Sequence, residues 1–313
     1  MDCIVFLQSF NITTPNSQPA CRQAGCYFKT IQRVMMSPEQ FFELMLKELE
    51  VHTEMQPYYK FLGNKSSWHF RRNYFLQRLR YIKKYLVDAP EAANYRKDLS
   101  IWDCGCGYGT TCIFLALNGV KTYGTTLEFY YDTVQKRKEY YSKYGDTSLF
   151  TCTYENLFDN KPAPGSYDWI IVQDTLHHLE PIGDALQIFH DSLRKGGRIL
   201  SIEENGNNII QRIKLYKYRG NKRIITIWDE KLKKDILIGN ENIRSLETWN
   251  RLFEKHQFHV QPESVNYVRY FLPFQYRFGD PEILLQKEQQ IQSKPGLRRE
   301  YFFFGLNFVA VKK

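Results

Sequence analysis

Asp103 and the three glycines that follow it are the residues of this chain whose types and spacing most clearly indicate chemistry. The acid ends a short apolar run, and Gly105, Gly107 and Gly109 follow at every second position. Glycines in a turn let a backbone approach a ligand closely, and a carboxylate at a strand's end favours a cationic ligand. The G-x-G-x-G spacing differs from the G-x-G-x-x-G of dinucleotide-binding turns. The pattern predicts a turn from a buried strand into a helix, with a cationic ligand that carries an amino-acid group bound there.

Two adjacent histidines, His177 and His178, form a second candidate group. They follow the apolar run 167–172, so we expect them at the carboxyl end of a strand, where α/β folds bind ligands. An imidazole that titrates near neutrality can act as a general base. A structural or ligand-contacting role is the alternative for both. Glu203, Glu204 and Asn205, at the end of the next apolar run, are candidates for positioning a substrate.

Alternating strand and helix signals must position these residues. The predicted strands are 99–103, 120–127, 148–153, 167–172, 198–203, 258–268 and 301–311. The helices predicted between them are 112–118, 131–144, 183–193 and 245–256, and the glycines at 196–197 indicate a helix C-cap. This alternation is typical of an α/β fold with a parallel sheet.

Four segments together resemble the class I S-adenosylmethionine-dependent methyltransferases. The D-x-G-x-G-x-G pattern of residues 103–109 resembles their first motif, and 167–171 their fourth strand. Residues 174–179 resemble the following loop of ubiquinone and sterol methyltransferases, and 193–200 the approach to the fifth strand. The resemblance covers 99–313 and implies a Rossmann-like methyltransferase fold. Its sheet would be seven-stranded and mostly parallel, with an antiparallel last strand and helices on both faces.

The same resemblance implies the cofactor and its site. S-adenosylmethionine would contact Asp103, Cys104, Gly105, Gly107, Thr126, Leu127, Glu128, Thr153, Tyr154 and Gln173, and no metal is expected. In the family, the acid of the first motif meets the methionine amino group.

The second strand departs from the common pattern. Thr126 stands where most members have a ribose-binding acid, as in cyclopropane fatty acid synthase-like members with a G-x-T-L strand. Ribose would be held by Thr126 or by Glu128, and an exposed first-turn acid is the alternative for Glu128. Tyr154 would stack on adenine or pack as a surface tyrosine.

The rest of the chain is expected to surround this domain. Residues 1–35 read as a disordered extension whose place in the native protein is left open. Residues 36–98 read as an N-terminal helical cap, with helices beginning at the N-cap Ser37 and spanning 68–87. The basic side chains of the second helix are expected to form a solvated face. Segments 205–244 and 271–299 would be lid insertions, together giving an aromatic lid with a basic rim.

Composition narrows the function. The 313 residues carry a formal net charge of +9, 16% aromatic residues and seven cysteines. The odd cysteine count without zinc spacing favours a reduced cytoplasm, and no apolar run approaches a membrane span. We expect methyl transfer by in-line displacement to a small-molecule or lipid acceptor. A nucleic-acid methyltransferase using the basic patch is disfavoured but left open, as are a protein substrate, a non-catalytic S-adenosylmethionine-binding regulator and a nicotinamide-dependent oxidoreductase. The oligomeric state is left open.

Overall fold

The structure is a computed structural model that describes residues 35–62, 67–89, 99–127 and 131–313. Almost all of the predicted extension 1–35 lies outside the described residues, and so does Glu128. Residues Met35–Lys313 form one unit.

Helices and strands alternate through the described chain. The helices are α1 (Pro38–Val51), α2 (Gln56–Tyr59), α3 (Trp68–Leu86), α4 (Thr110–Leu117), α5 (Tyr131–Ser142), α6 (Ile182–Ser192), α7 (Ile209–Arg219), α8 (Leu246–Lys255), α9 (Gln275–Phe278), α10 (Pro281–Gln292) and α11 (Leu297–Phe302). The strands are β1 (Ile101–Cys104), β2 (Thr122–Thr126), β3 (Phe150–Tyr154), β4 (Tyr167–Gln173), β5 (Leu193–Glu204), β6 (Ile224–Asp229), β7 (Lys234–Gly239), β8 (Phe258–Val260), β9 (Asn266–Val268) and β10 (Gly305–Lys312).

The central sheet has the order β3-β2-β1-β4-β5-β10, and both β8 and β9 pair with β10 at its edge. Strands β1 to β5 are parallel, whereas β10 runs antiparallel to β5. The prediction of a mostly parallel sheet with an antiparallel last strand is therefore confirmed. Strands β6 and β7 form a separate antiparallel hairpin.

Three strand predictions were wrong in detail. The predicted sixth strand, 258–268, is broken into β8 and β9 by a 3-10 turn at Pro262–Ser264, because proline cannot donate to a strand ladder. The sheet therefore has eight strands rather than seven. The last strand begins at Gly305 rather than 301, since α11 occupies Leu297–Phe302. The glycines at 196–197 lie within β5 and not at a helix C-cap, and Gly196 takes the φ of +73° that a bulge needs.

Alternating strand residues send side chains into two cores, one on each face of the sheet. Ile101 and Ile171 pack in the core that α1, α3 and α4 cover. Trp102 and Ile170 pack in the opposite core, which α6 and α8 cover. Helices on both faces thus bury the sheet.

The predicted N-terminal helices are present, but the solvated basic face of α3 is not. Ser37 caps α1 with a capping box, as expected. Of the six basic side chains on α3, only Arg80 and Lys84 are exposed. Arg78 instead pairs with Asp174, because α3 packs across the strand ends where that acid lies.

Both predicted insertions contain regular structure. The first, 205–244, forms α7 and the β6–β7 hairpin, and the second, 271–299, forms α9, α10 and the start of α11. No helix among the described residues is long and apolar enough to cross a bilayer.

Candidate functional site

The glycine turn joins β1 to α4 in backbone conformations that other residues avoid. Gly105, Gly107 and Gly109 have φ values of +84°, +54° and +71°. At Gly105 a Cβ would lie 2.4 Å from Thr175 Oγ1, so the loop after β4 also requires the absence of a side chain. The amides of Gly105 and Cys106 both donate to the Thr125 carbonyl at 2.9 Å. The turn is thus fixed against β2 and the loop after β4.

Asp103 lies fully buried beside this turn. Its Oδ2 accepts from Cys112 Sγ at 3.3 Å, whereas its Oδ1 has no hydrogen bond of ordinary geometry from the described residues. Burial raises the pKa of Asp103 to about 7, against the smaller opposing effects of Cys112 and Gln173. A buried carboxylate oxygen without a partner is costly. An ammonium group would satisfy it, so this residue fits the methionine end of the expected cofactor.

The other predicted cofactor residues lie at the ends of β1 to β4. Thr126 pairs in register with Tyr154, and Thr125 with Thr153. Thr126 is buried, and the Leu127 carbonyl accepts from the Tyr154 hydroxyl at 3.0 Å. Neighbouring strand ends thus bring these residues together.

Cys104, Thr153 and Gln173 complete the set. Cys104 is the buried last residue of β1, with its side chain in the core opposite the one that holds Ile101. Thr153 Oγ1 lies 2.5 Å from the Tyr123 hydroxyl. Gln173 Nε2 donates to Thr111 Oγ1 at 2.9 Å. Their contact with cofactor stays a prediction.

Tyr154 is held on several sides. Its hydroxyl lies 2.7 Å from Asp229 Oδ2 in the β6–β7 hairpin, and Lys231 Nζ stands 4.8 Å from its ring centroid. The Tyr131 ring meets it edge-on at 5.8 Å. The predicted adenine stacking therefore stays a prediction, and these packing contacts are the observed alternative.

Glu203 organises the loop that follows β4. Its Oε1 accepts from the amides of Thr175 (3.0 Å) and Leu176 (2.7 Å). Its Oε2 lies 2.5 Å from His177 Nδ1. Glu203 is 2% exposed, so its observed role is to hold this loop. Burial would lower the pKa of His177, but the Glu203 carboxylate outweighs it and raises that pKa to about 9.

His177 and His178 lie together, and a carboxylate missed by the sequence analysis joins them. Their ring centroids are 4.1 Å apart, and His178 Nδ1 lies 2.8 Å from the Gly239 carbonyl. Glu241 Oε2 lies 3.8 Å from His177 Nε2. Glu241 belongs to the first insertion, and no sequence signal relates it to the histidines. General-base catalysis by either histidine stays a prediction.

Two ion pairs between partly exposed side chains line the carboxyl ends of β4 and β5. Arg78 bonds Asp174 at 2.5 Å, and Arg269 bonds Glu204 at 2.6 Å. Tyr74 lies between them, since Arg78 donates to its hydroxyl and Arg269 stands 4.4 Å from its ring centroid. Burial would raise the pKa of Asp174, but Arg78 outweighs it and keeps that pKa below its usual value. The segments that supply these side chains are distant in sequence from the strand ends: Tyr74 and Arg78 belong to α3, and Arg269 follows β9. The fold brings them together.

A buried ion pair between α1 and α5 contacts the glycine turn. Glu48 of α1 and Arg137 of α5 are both fully buried and share two hydrogen bonds of 2.7 and 2.8 Å. Arg137 Nη1 also donates to the Tyr108 carbonyl at 2.8 Å and to Thr110 Oγ1 at 2.7 Å. Because Tyr108 stands within the turn, the helix before the sheet takes part in shaping the glycine turn.

Comparisons with known proteins agree with the fold described above. A family model described as a methyltransferase domain matches residues 102–199, and the comparison with curated proteins gives no match. The fold resembles a magnesium protoporphyrin IX methyltransferase from Synechocystis PCC 6803 with bound SAH, at 15% identity and a TM-score of 0.52, covering 87% of this chain and 100% of that one. It also resembles a geranyl diphosphate methyltransferase, at 13% identity and a TM-score of 0.52, covering 81% and 86%. Residues 102–199 are thus a methyltransferase domain, an enzyme domain whose cofactor is S-adenosylmethionine.

Proposed function

We propose that this enzyme transfers a methyl group from S-adenosylmethionine to a small-molecule or lipid acceptor at the carboxyl edge of the sheet. The observation that carries the proposal is the buried Asp103 Oδ1 beside the glycine turn, which lacks a partner of ordinary geometry and suits the cofactor's ammonium group. The division into a cap (36–98), a methyltransferase domain (99–313) and lids (205–244 and 271–299) belongs to the same proposal.

The chemistry asks the protein mainly for positioning. The sulfonium cofactor supplies an activated methyl group, and its transfer is an in-line displacement. Alignment of the acceptor atom with that methyl group supplies most of the acceleration. Asp103 and the turn would hold the methionine end, while the rigid loop after β4 would face the acceptor.

Contacts across the carboxyl edge favour a small acceptor. The first insertion reaches the loop after β4 through a bridge between Leu179 and Ile238 and a 2.8 Å bond from the Gly239 amide to the His178 carbonyl. From the other side, Arg78 of α3 bonds Asp174 of the same loop. A site covered from both sides suits a molecule that can enter between them.

The exposed face of α7 supports the inclusion of lipids. Ile213 and Tyr216 are 54% and 64% exposed, and Lys214 and Lys217 stand beside them in sequence. An amphipathic helix with basic residues and exposed apolar side chains is typical of a membrane-surface helix. The geranyl diphosphate methyltransferase with a similar fold also acts on an apolar chain with an anionic group. The G-x-T-L strand, 124–127, keeps the cyclopropane fatty acid synthase-like subtype within the proposal.

A nucleic acid is the second candidate, because a basic groove lies beside α7. This groove has a volume of about 710 Å³, and Arg212, Arg219, Arg223 and Arg244 are among its lining residues. Tyr218, which is 75% exposed, adds an aromatic surface nearby. Basic grooves with aromatic side chains bind single-stranded nucleic acids.

Labelling with a methyl-labelled cofactor tests the acceptor class. The purified enzyme would be incubated with separately fractionated small molecules, lipids, RNA and protein. We expect label in the small-molecule or lipid fraction, and none with heat-denatured enzyme. Label confined to RNA or protein would overturn the proposed acceptor class, and cofactor binding without any labelling would favour a regulator.

We also propose a cytoplasmic location, on the state of the cysteines. The described cysteines 104, 106, 112 and 152 are all free thiols, and the sulfurs of Cys106 and Cys152 lie 3.6 Å apart without a bond. Close unbonded thiols are typical of reducing compartments.

Cofactor binding is expected to weaken as the pH falls through 7. Only the ionised carboxylate pairs with an ammonium group, and the pKa of Asp103 is about 7. The ionised fraction is roughly half at pH 7 and about 1% at pH 5, so affinity should drop about 50-fold over this interval. Calorimetric titration at pH 5, 6 and 7 measures this.

5′-Methylthioadenosine is the control ligand, since it keeps the adenosine but lacks the ammonium group. Its affinity should change little over the same interval. An equal pH dependence for both ligands would contradict the role of Asp103.

A further inference from the structure

We propose that His177, His178 and Glu241 bind a divalent transition-metal ion, although the sequence alone predicts no metal site. An imidazole nitrogen from each histidine and a carboxylate oxygen of Glu241 lie within 4.8 Å of one another. Two imidazoles and one carboxylate form a common ligand set for catalytic metal ions in proteins. The two histidines and Glu241 come from separate elements, so the fold itself brings the set together.

Hydrogen bonds already orient both imidazoles as ligands. A carbonyl oxygen only accepts, so His178 Nδ1 carries a proton and donates it to Gly239 at 2.8 Å. His177 Nδ1 likewise donates to the Glu203 carboxylate at 2.5 Å. With Nδ1 protonated, the neutral form of each ring carries on Nε2 the lone pair that a metal ion needs. Metal binding at His177 displaces the second proton, which the raised pKa of His177 retains on Nε2 at neutral pH. Metal-binding histidines in proteins almost always have such an acceptor behind them.

The backbone fixes the segment that carries Glu241 against the histidines. The Asn242 amide donates to the His177 carbonyl at 3.2 Å, and the Gly239 amide to the His178 carbonyl at 2.8 Å. A Cβ on Gly239 would lie only 2.0 Å from the His177 carbonyl oxygen. Glycine at 239 thus permits this close approach, which sets the distance between Glu241 and the imidazoles.

A modest closure would complete the coordination. Metal bonds of about 2.0–2.2 Å place neighbouring ligand atoms roughly 3 Å apart, and His177 Nε2 now lies 3.8 Å from Glu241 Oε2. The Glu241 side chain is 38% exposed, whereas the His177 side chain is 3% exposed and bonded to Glu203. Arg219 lies nearby, and its guanidinium donates to the Glu241 backbone carbonyl at 3.2 Å.

The donor types select the kind of metal ion. Imidazole nitrogen suits Zn²⁺, Co²⁺ or Ni²⁺, whereas Mg²⁺ and Ca²⁺ prefer ligand sets made of oxygen. Three protein ligands leave at least one coordination position open. This part rests on the proposed function: the open position would take an oxygen or nitrogen donor of the acceptor, beside the loop after β4.

Metal titration of the full chain without cofactor tests the site. Metal-free protein would be titrated with Zn²⁺ by calorimetry and with Co²⁺ by visible absorption. We expect one equivalent to bind, with cobalt bands of nitrogen and oxygen ligation and no thiolate charge-transfer band. Glu241→Gln and His178→Ala should each weaken binding about 100-fold or more, the upper range for loss of a supporting group.

His259→Ala is the matched control, since His259 also stands 3.3 Å from a glutamate, Glu254, but at an exposed position. It should bind as the parent protein does. Three results would overturn the proposal. They are a lack of saturable metal binding, a thiolate charge-transfer band, and unchanged affinity in both Glu241→Gln and His178→Ala. If a variant fails to fold, the cobalt spectrum of the parent protein decides. The metal titration uses neither cofactor nor acceptor. A failure to bind metal would therefore not contradict the proposed methyl transfer, which the labelling experiment tests separately.

Discussion

Replacing Asp103 by alanine is expected to raise the Kd for S-adenosylmethionine about 10- to 150-fold while leaving the fold intact. The loss corresponds to a charge-assisted pair of about 1.5–3 kcal/mol between carboxylate and ammonium. The fold should survive because, among the described residues, the one bond of ordinary geometry to the Asp103 side chain comes from the weak donor Cys112 Sγ. Removing a desolvated charge offsets part of the lost packing. Calorimetry measures affinity, and thermal unfolding measures stability.

Two further variants refine this test. One separates the effect of the Asp103 charge from that of its side-chain shape, and the other separates the role of Asp103 from that of the loop after β4. Asp103→Asn keeps the side-chain volume but removes the charge, so it should lose most of the same affinity. His177→Ala should retain cofactor binding, since the described contacts of His177 lie with Glu203 and Glu241 rather than with Asp103. Normal binding by Asp103→Ala would show that the ammonium group is held elsewhere.

Local patterns were enough to predict the frame of this site. The alternation of strands and helices depends on residues close in sequence, and the succession of β1 to β5 along the chain was predicted from it. The glycine turn was predictable for the same reason, because its positive φ values are a property of single residues. The capping box at Ser37 likewise joins residues only three positions apart, and it is present.

Interactions between distant segments were not predictable in this way. The Arg78–Asp174 pair joins residues 96 positions apart, and helical periodicity placed Arg78 on a solvated face. Helical periodicity predicts which face of a helix a side chain lies on. It does not predict which residue of a neighbouring loop contacts that face. Glu241 was missed for the same reason, as its approach to His177 depends on how the insertion folds back.

In the first insertion, the sequence pattern did not predict the β6–β7 hairpin. Residues 224–239 form a hairpin with Ile227 and Trp228 40% and 53% exposed, so burial does not produce the regular alternation that identifies a strand. Contacts at its two ends hold it, between Asp229 and Tyr154 and between Gly239 and His178. A hairpin held mainly by such end contacts carries a weak pattern in its own sequence.

Replacing Glu48 by glutamine is expected to lower the free energy of unfolding by about 3–5 kcal/mol, the usual cost of breaking a buried ion pair. Glu48 is fully buried and accepts from Arg137 with both oxygens and from the Tyr141 hydroxyl at 2.8 Å. The variant leaves the Arg137 guanidinium buried without a compensating charge. Because Arg137 also donates to the Tyr108 carbonyl, cofactor affinity should fall with stability. Urea unfolding of the full chain measures the first effect, and calorimetry the second.

The same helix supplies the matched control, because Glu39 of α1 pairs with Arg80 where both side chains are more than 40% exposed. Glu39→Gln should change stability by less than about 1 kcal/mol, since solvent screens an exposed pair. Pairing Glu48→Met with Arg137→Met should recover much of the lost stability, because an apolar pair can replace a buried ion pair. It should not recover cofactor affinity, since the bond to the Tyr108 carbonyl is gone. Equal and small effects of Glu48→Gln and Glu39→Gln would show that the buried pair supports neither the fold nor the turn.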